Sequence, residues 1–381
     1  MSRSFPQMVL MFILAGLAIL PGHATCAALP PPVGNLPSAA LTMAEMQRAV
    51  ANASGHSIRW NGPEAGPAGH ANASIAIISE DLRNGGILGV AKGIIEAAKV
   101  IGWNAKIHDA GGTSAGRIKA VAAALALRPD GLILIGVDAR ELSPQLVPFT
   151  ERGVPIVGWH VGAIAGATAA GAVAMNVSTD PLEVARVTAM AAVISSHGRA
   201  GVVVFTDTNF EIAKAKANAM AEVIRACKEC TLLEVRDVAI SKNAELMPAV
   251  TQDLLTRYGT RWTHALAIND IYFDYAAPEL TKAKRPSDSL RMLSAGDGSA
   301  AAFLRIKAGT FQTGTVAEPL TLHGWQLVDE LNRLLAHQPV TGYLVPVHLV
   351  TPENIAFDGG QQMQYDPDNG YRNIYRRIWK R

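Results

Sequence analysis

Residues 131–136 read GLILIG, a run that contains no polar side chain. A strand with one exposed face alternates apolar and polar residues, so this run predicts a strand that is buried on both faces. Similar short runs occur at residues 74–79, 105–108 and 154–158, with helical periodicity between them. Strands that alternate with helices of about 10 to 15 residues predict a doubly wound parallel sheet.

The alternation starts again after the small-residue stretch at 162–171. Strands are predicted in this second half at residues 201–205, 232–238, 265–268, 290–294 and 314–317, with helices between them. The last long helix is predicted at 320–335. Two consecutive α/β sets of similar length predict two similar lobes.

The N-terminus has the layout of a secretory signal peptide. Arg3 precedes an apolar run at residues 8–20, which is shorter than the ~20 residues that cross a membrane. Pro21 and Gly22 end the run, and small residues follow, so we predict a signal peptide over 1–28, cleaved after Ala27 or Ala28, and a periplasmic location. Two alternatives stay open: an uncleaved anchor, and a lipoprotein modified at Cys26.

The flanking segments are assigned less structure. Residues 29–73 are predicted to be a Pro- and Gly-rich leader, in which Thr42 and Glu45 form a capping box that opens a short helix towards Ala53. Residues 346–381 are predicted to be a polar tail. Its end, at 371–381, mixes aromatic and basic residues; we expect a solvated or loosely docked terminus rather than a surface for anionic partners.

Composition and motifs exclude several function classes. The net charge is +2 and no basic stripe is interleaved with aromatic residues, so nucleic acid is not an expected partner. The glycines at 111–116 have the spacing of a phosphate-binding loop but lack its Lys and Ser/Thr. No HExxH motif occurs in the sequence. We therefore predict no catalytic residue, no cofactor and no metal, and the protein is not expected to be an enzyme.

Cys227 and Cys230 form a CxxC pair in the second half of the chain. A redox pair of this spacing needs a strand before it and a helix opening at it. Here the pair follows a predicted helix and precedes a predicted strand, so a disulfide on the turn or two unreactive thiols are the favoured interpretations.

Polar and aromatic residues follow the predicted strands in both halves. In open α/β sheets, ligands bind beyond the carboxyl ends of the strands, so these residues are candidates to line a cleft between the lobes. They include Asp81, Arg83 and Asn84 after the first strand, Trp159 and His160 after the fourth, and Asn209, Phe210, Asn269, Asp297 and Glu318 in the second half.

From residue 74 to about 349 the chain resembles the periplasmic sugar-binding proteins of ABC importers, of the ribose-binding type. That fold is shared with the effector domain of the lactose-repressor family. The pieces that carry the resemblance include SIAIISEDLRNGG, RPDGLILIGVDA, GVPIVGWH, GVVVFTDTN, THALAINDIYFDYA and TGTVAEP, in that order along the chain.

The resemblance implies a type I periplasmic binding fold: two doubly wound lobes joined by a three-segment hinge. The N-terminal lobe is expected to comprise residues 74–170 with 319–345, and the C-terminal lobe residues 171–318. Ligand contacts are expected from the strand-end residues named above and from Lys214, all carried over by position.

Four positions depart from the pattern of sugar binders. Trp159 and His160 occupy positions where an acidic and a basic residue are usual. Lys214 occupies a position where Arg is usual, and Glu318 one where Gln is usual. The extra negative charge of Asp297 with Glu318 raises the hypothesis of a cationic or aromatic-polar ligand.

The function expected from this resemblance is that of a periplasmic solute-binding protein of an ABC importer, a monomer that delivers a small polar ligand to a permease. A receptor subunit of the same fold, which signals to a membrane sensor instead of feeding a transporter, is the alternative.

Overall fold

The computed structural model describes Met1 and residues 41–56, 59–168 and 171–381. The predicted signal peptide, Cys26 and the leader before Leu41 therefore lie outside the described residues, apart from Met1. No helix within the described ranges has both the length and the hydropathy that crossing a bilayer requires.

The first sheet has the strand order β2-β1-β3-β4-β6-β5. All neighbours are parallel except β5, which runs antiparallel to β6. Its third strand is the GLILI run, and every residue of that strand is buried, as the sequence predicts. The strands are β1 (Ser74–Ser79), β2 (Asn104–Asp109), β3 (Gly131–Ile135), β4 (Ile156–Trp159), β5 (Gly166–Ala167) and β6 (Met175–Val177).

The second sheet repeats this arrangement with the order β12-β11-β10-β9-β7-β8. Here β12 is the antiparallel edge strand, paired with β11. The strands are β7 (Gly201–Thr206), β8 (Thr231–Asp237), β9 (His264–Ala267), β10 (Arg291–Ser294), β11 (Gln312–Val316) and β12 (Leu349–Val350).

Helices cover both faces of each sheet, so that the apolar strands are enclosed. The helices of the described residues are α1 (Met43–Ala53), α2 (Gly85–Ile101), α3 (Ser114–Ala126), α4 (Ser143–Thr150), α5 (Pro181–Ser195), α6 (Glu211–Ala226), α7 (Asn243–Tyr258), α8 (Ile271–Lys282), α9 (Ala300–Ala308), α10 (Leu320–Leu335), α11 (Ile355–Asp358) and α12 (Tyr371–Trp379). The two doubly wound lobes that the sequence predicts are confirmed.

Between β1 and β12, three segments cross between the lobes. The first lies between β6, in the first sheet, and α5, which packs in the core of the second lobe. The second joins β11 to α10, and the third runs from Val345 in the first core to Leu349 in the second. The predicted boundary at 170/171 is therefore misplaced, because β5 and β6 pair within the first sheet as far as Val177.

The C-terminal tail is not loosely docked, which corrects the prediction from the sequence. Leu349–Val350 forms β12, and α12 packs into the core of the first lobe. Trp379 stacks on Trp325 with ring centroids 5.4 Å apart, and its indole Nε1 donates to Asp329 Oδ1 over 2.8 Å. Tyr371 and Tyr375 lie on the same buried face, because residues four apart share one side of a helix.

The segment before β1 also packs on the folded chain. The predicted capping box opens α1, with Thr42 accepting from the backbone of Glu45. Met46 of that helix is buried in the core of the second lobe. Further on, Trp60 contacts the rings of Tyr343 and Tyr375 in the first lobe.

We expect Trp379→Ala to lower the free energy of unfolding by about 3–5 kcal/mol, because it removes a fully buried indole and leaves Asp329 without that donor. Urea denaturation followed by circular dichroism measures the change. Arg377→Ala, at an exposed position of the same helix, is the control and should shift the value by less than about 0.5 kcal/mol. Equal effects of the two variants would contradict the assignment of α12 to the core.

Candidate functional site

A polar cavity of about 350 Å³ lies between the two lobes. Its wall is formed mainly by residues that follow the carboxyl ends of strands in both sheets, which is where open α/β sheets bind ligands. The lining residues are Glu80, Asp81, Asn84, Ile87, Gly112, Arg117, Gly136, Glu141, Trp159, His160, Asp207, Asn209, Phe210, Ile212, Ala213, Lys216, Ile240, Ser241, Ile268, Asn269 and Asp297.

The first lobe contributes an ion-pair network to this wall. Arg117, on α3, donates to Glu80 Oε1 and to Glu141 Oε1, each over 2.7 Å. Burial raises the pKa of Glu80 to about 7, and the adjacent Arg117 opposes that rise. The second carboxylate oxygen of Glu80 is buried and accepts no hydrogen bond within the part of the chain that the structure describes.

The second lobe holds Asp297 on a loop that Asp270 organises. The Asp270 carboxylate Oδ2 accepts from the backbone N–H groups of Asp297, Gly298 and Ser299, at 3.1, 2.8 and 2.9 Å. Its other oxygen accepts from the Gln312 amide at 3.0 Å and from the Ser294 hydroxyl. A buried carboxylate with so many donors fixes the backbone around it, so Asp270 is a positioning residue for Asp297.

Four ionisable side chains meet at the base of the cavity, and one of them, Glu318, pairs with two of the others. His160 Nε2 lies 2.8 Å from Glu318 Oε1, and Lys216 Nζ lies 3.8 Å from the same oxygen. Burial would raise the pKa of Glu318, but the hydrogen bond from His160 and the charge of Lys216 hold it well below its usual range. Glu318 is therefore the ionised carboxylate of the group.

The carboxyl of Asp297 differs from that of Glu318, because its pKa is raised and not lowered. Burial raises the pKa of its carboxyl to about 8; Lys216 opposes the rise, while Glu318 and Asp270 add to it. The Lys216 Nζ donates to the Ala295 carbonyl over 2.8 Å and lies 3.8 Å from Glu318 Oε1, and it makes no ion pair with Asp297. The Asp297 side chain accepts no hydrogen bond from the described residues.

Trp159 does not present an open ring to the cavity. It stacks on His160 with ring centroids 3.6 Å apart, and its indole Nε1 donates to His323 Nδ1 over 3.1 Å. Burial lowers the pKa of His323 to about 4, so that ring is neutral and can accept. One face and the only donor of Trp159 are therefore already used within the protein.

The lobes touch beside the cavity. Gly86, in the first turn of α2, packs against Asp297 so closely that an added Cβ would lie 2.3 Å from a carboxylate oxygen and 2.5 Å from the Asp297 Cβ. Arg140 also reaches across to Glu211 at 2.5 Å. The structure thus represents a closed arrangement in which α2 meets the loop that carries Asp297.

The structure brings most of the sequence-predicted site residues together. Those that line the cavity are Asp81, Asn84, Trp159, His160, Asn209, Phe210, Asn269 and Asp297. Asn84 also caps α2 by accepting from Gly86 N over 2.9 Å. A contact of any of these residues with ligand stays a prediction.

Three predicted residues lie elsewhere. Arg83 is exposed and donates to Asp81. Lys214 pairs with Glu211 outside the cavity, and the lysine that faces inward is Lys216, because residues 213 and 216 share the cavity side of α6 while 214 does not. Glu318 lies beneath the wall and acts through His160.

The sequence interpretation missed Glu80, Arg117, Glu141, Asp207 and Lys216. Glu80 and Asp207 directly follow β1 and β7, so their position at strand ends was a readable signal. Arg117 and Glu141 lie on α3 and before α4, where sequence spacing gives no comparable signal.

Metal binding is disfavoured by the chemistry of this group. His160, Asp297 and Glu318 each offer one ligand atom within 4.8 Å of the others. The buried ammonium of Lys216 stands beside them, however, and would repel a divalent cation at short range.

Cys227 and Cys230 are joined by a disulfide at the turn between α6 and β8. Neither residue lines the cavity. The bond closes a very short loop, which contributes little to stability.

A polar cavity enclosed by two α/β lobes, which three crossing segments connect, defines a hinged solute-binding protein. The chain belongs to the family described as the periplasmic binding protein domain, whose sequence profile matches residues 75–339. A search of curated proteins returns no match.

Solved structures share the fold at low identity. An ABC sugar transporter subunit from Rhodobacter sphaeroides is 22% identical, with a TM-score of 0.64 over 74% of this chain and 99% of that one. An ABC transporter solute-binding protein from Agrobacterium vitis, bound to α-D-tagatopyranose, is 16% identical with a TM-score of 0.68 over 77% and 99%. The 5-methylthioribose-binding protein from Thermotoga lettingae is 14% identical with a TM-score of 0.67 over 79% and 92%.

We expect Asp270→Asn to lower the free energy of unfolding by about 2–4 kcal/mol, because in either orientation the amide NH2 faces groups that now donate to the carboxylate, the backbone N–H groups or the Gln312 amide. Chemical denaturation of the ligand-free protein measures it. Asp288→Asn, an exposed position on the same lobe, is the matched control and should be neutral. An unchanged stability in Asp270→Asn would argue against the positioning role.

Proposed function

We propose that the protein is the solute-binding component of an ABC import system and that it carries a small sugar-like ligand between its lobes. The observation that supports this most directly is the cavity itself, because polar strand-end groups from both lobes converge on one enclosed volume. The neighbouring structures named above come from importer subunits, two of them bound to sugars or sugar derivatives.

Ligand binding would drive hinge closure. A solute between the lobes contacts both at once, so it favours the closed form over the open one by the difference in contact free energy. Burial in the closed cavity requires hydrogen-bond partners for each polar group of the ligand. Asn209, Asn269 and Asp297 from the second lobe, with Asp81 and His160 from the first, are the groups proposed to supply them.

The cavity volume and its lining suit a monosaccharide-sized molecule. A volume of about 350 Å³ lies at the small end of ligand pockets. The buried Asn269 Oδ1 has no hydrogen-bond partner among the described residues, so a ligand hydroxyl would satisfy it. Phe210 adds an apolar surface against which a sugar ring can pack.

Several finer points belong to the same proposal. A permease as partner, a periplasmic location, a monomeric state and the absence of catalysis all accord with the family of binding proteins. The importer neighbours favour transport over the receptor alternative, in which the closed form would contact a membrane sensor instead.

We expect isothermal titration with a panel of neutral pentoses, hexoses and polyols to identify at least one ligand with a dissociation constant in the micromolar range or below. Asn269→Ala should weaken that ligand by about 1–3 kcal/mol, because a buried acceptor is lost. Asn373→Ala, on the exposed side of α12, is the control. If ligands bind but Asn269→Ala has no effect, the cavity is not the binding site.

We expect Gly86→Ala to leave the melting temperature of the free protein unchanged or higher, since alanine is the better helix former. The added methyl group would meet Asp297 and hold the lobes apart. Ligand affinity should therefore fall at least about tenfold, a loss of roughly 1.4 kcal/mol. Gly162→Ala, where an added Cβ meets nothing within 4 Å, is the control.

A further inference from the structure

Hydrogen-bond acceptors without partners outnumber donors at the base of the cavity. Among the described residues, the Asn269 Oδ1 atom and the second oxygen of Glu80 accept no hydrogen bond. The Asp297 carboxylate also accepts none. A solute that satisfies this wall must bring donors rather than acceptors.

The net charge of the cavity wall points in the same direction. Its acidic members outnumber its basic ones by five to two: Glu80, Asp81, Glu141, Asp207 and Asp297 against Arg117 and Lys216. Both cations are already engaged, Arg117 by Glu80 and Glu141 and Lys216 by the Ala295 carbonyl. An anionic solute would therefore meet more carboxylates than cations in this wall, and it would compete with Glu80 and Glu141 for Arg117.

The acidic side chains of the wall are not equally available to accept hydrogen bonds from a ligand. Arg83 donates to Asp81, and backbone N–H groups of Asn209 and Ile240 donate to Asp207. Asp297 alone of the five has no hydrogen-bonded donor on its carboxylate among the described residues. The charged or titratable groups that face it are Lys216, Glu318, Asp270 and His160.

We propose that the ligand carries a protonated amine, as in an amino sugar or amino polyol, and that Asp297 recognises it. This rests on the proposed function and names the chemical class of its solute. An ammonium group supplies three donors and the positive charge that the carboxylate lacks. Burial raises the pKa of Asp297 because that charge is uncompensated within the chain, and an ammonium partner would reverse the rise.

Matched trios separate the amine from the rest of the sugar. Glucose, glucosamine and N-acetylglucosamine differ at one position, where the group is a hydroxyl, an ammonium or a neutral amide; the galactose and mannose trios extend the comparison. Isothermal titration at pH 6.5, where the amines are protonated, should show one amino sugar that binds on the order of tenfold tighter than both of its neutral counterparts.

Asp297→Asn tests whether this preference depends on the carboxylate. The amide has the same size but no charge, so the amino sugar should lose its advantage and bind no tighter than its neutral parent. Asp288→Asn should keep the wild-type preference, because that exposed carboxylate lies outside the cavity. Circular dichroism melts of both variants check that the fold is retained.

The outcomes separate the two levels of the proposal. Neutral sugars that bind as tightly as their amino analogues, or tighter, would overturn the amine assignment and leave a sugar-binding protein. A preference for the amine that survives in Asp297→Asn would overturn the role of Asp297. If no neutral or amino sugar binds at all, the proposed sugar-like ligand fails together with this inference.

Discussion

The burial of charge between two lobes is the constraint on which this site depends. His160, Lys216, Asp297 and Glu318 are all buried, and each loses hydration that its neighbours must replace. Glu318 receives that compensation from His160 and Lys216, and it remains ionised. Asp297 receives less of it, because Lys216 pairs with Glu318 and donates to the Ala295 carbonyl. When Asp297 is ionised, the base of the cavity holds two carboxylates, Asp297 and Glu318, and one ammonium, Lys216.

The surrounding fold fixes the backbone so that this imbalance persists. Asp270 anchors the Asp297 loop through three backbone N–H groups, and Asn84 caps the helix that meets the loop from the opposite lobe. The side chains that contact a solute are therefore held by groups that do not contact it. Gly86 allows the two lobes to approach, because a side chain at this position would clash with Asp297.

The sequence predicts the architecture well because buried strands are encoded as runs of apolar residues. The unbroken apolar runs of β3 and β7 are buried along their whole length. Strand-end positions likewise predict most of the cavity wall. The resemblance predicts Lys214 in the cleft, but Lys216 lines the cavity. Which side of α6 a residue faces changes from one position to the next, and a positional analogy is accurate only to within a residue or two. Tyr371, Tyr375 and Trp379 show a stripe of spacing four that predicts a docked helix, but the basic residues among them favoured a solvated tail. The lobe boundary was misplaced because β6 is only three residues long.

The segments outside the two lobes link them a second and a third time. Helix α1 is anchored in the second lobe and Trp60 in the first, while α11 packs near α9 and α12 is anchored beside Trp325. These links meet next to the hinge, where His348 contacts Asp358 at 2.8 Å and Asn354 donates to the Ser54 carbonyl at 3.3 Å. A rotation of the lobes changes the span that each link must bridge. Opening of the lobes to release a ligand therefore works against five connecting segments instead of three. The leader and the tail help to set how far the lobes can separate.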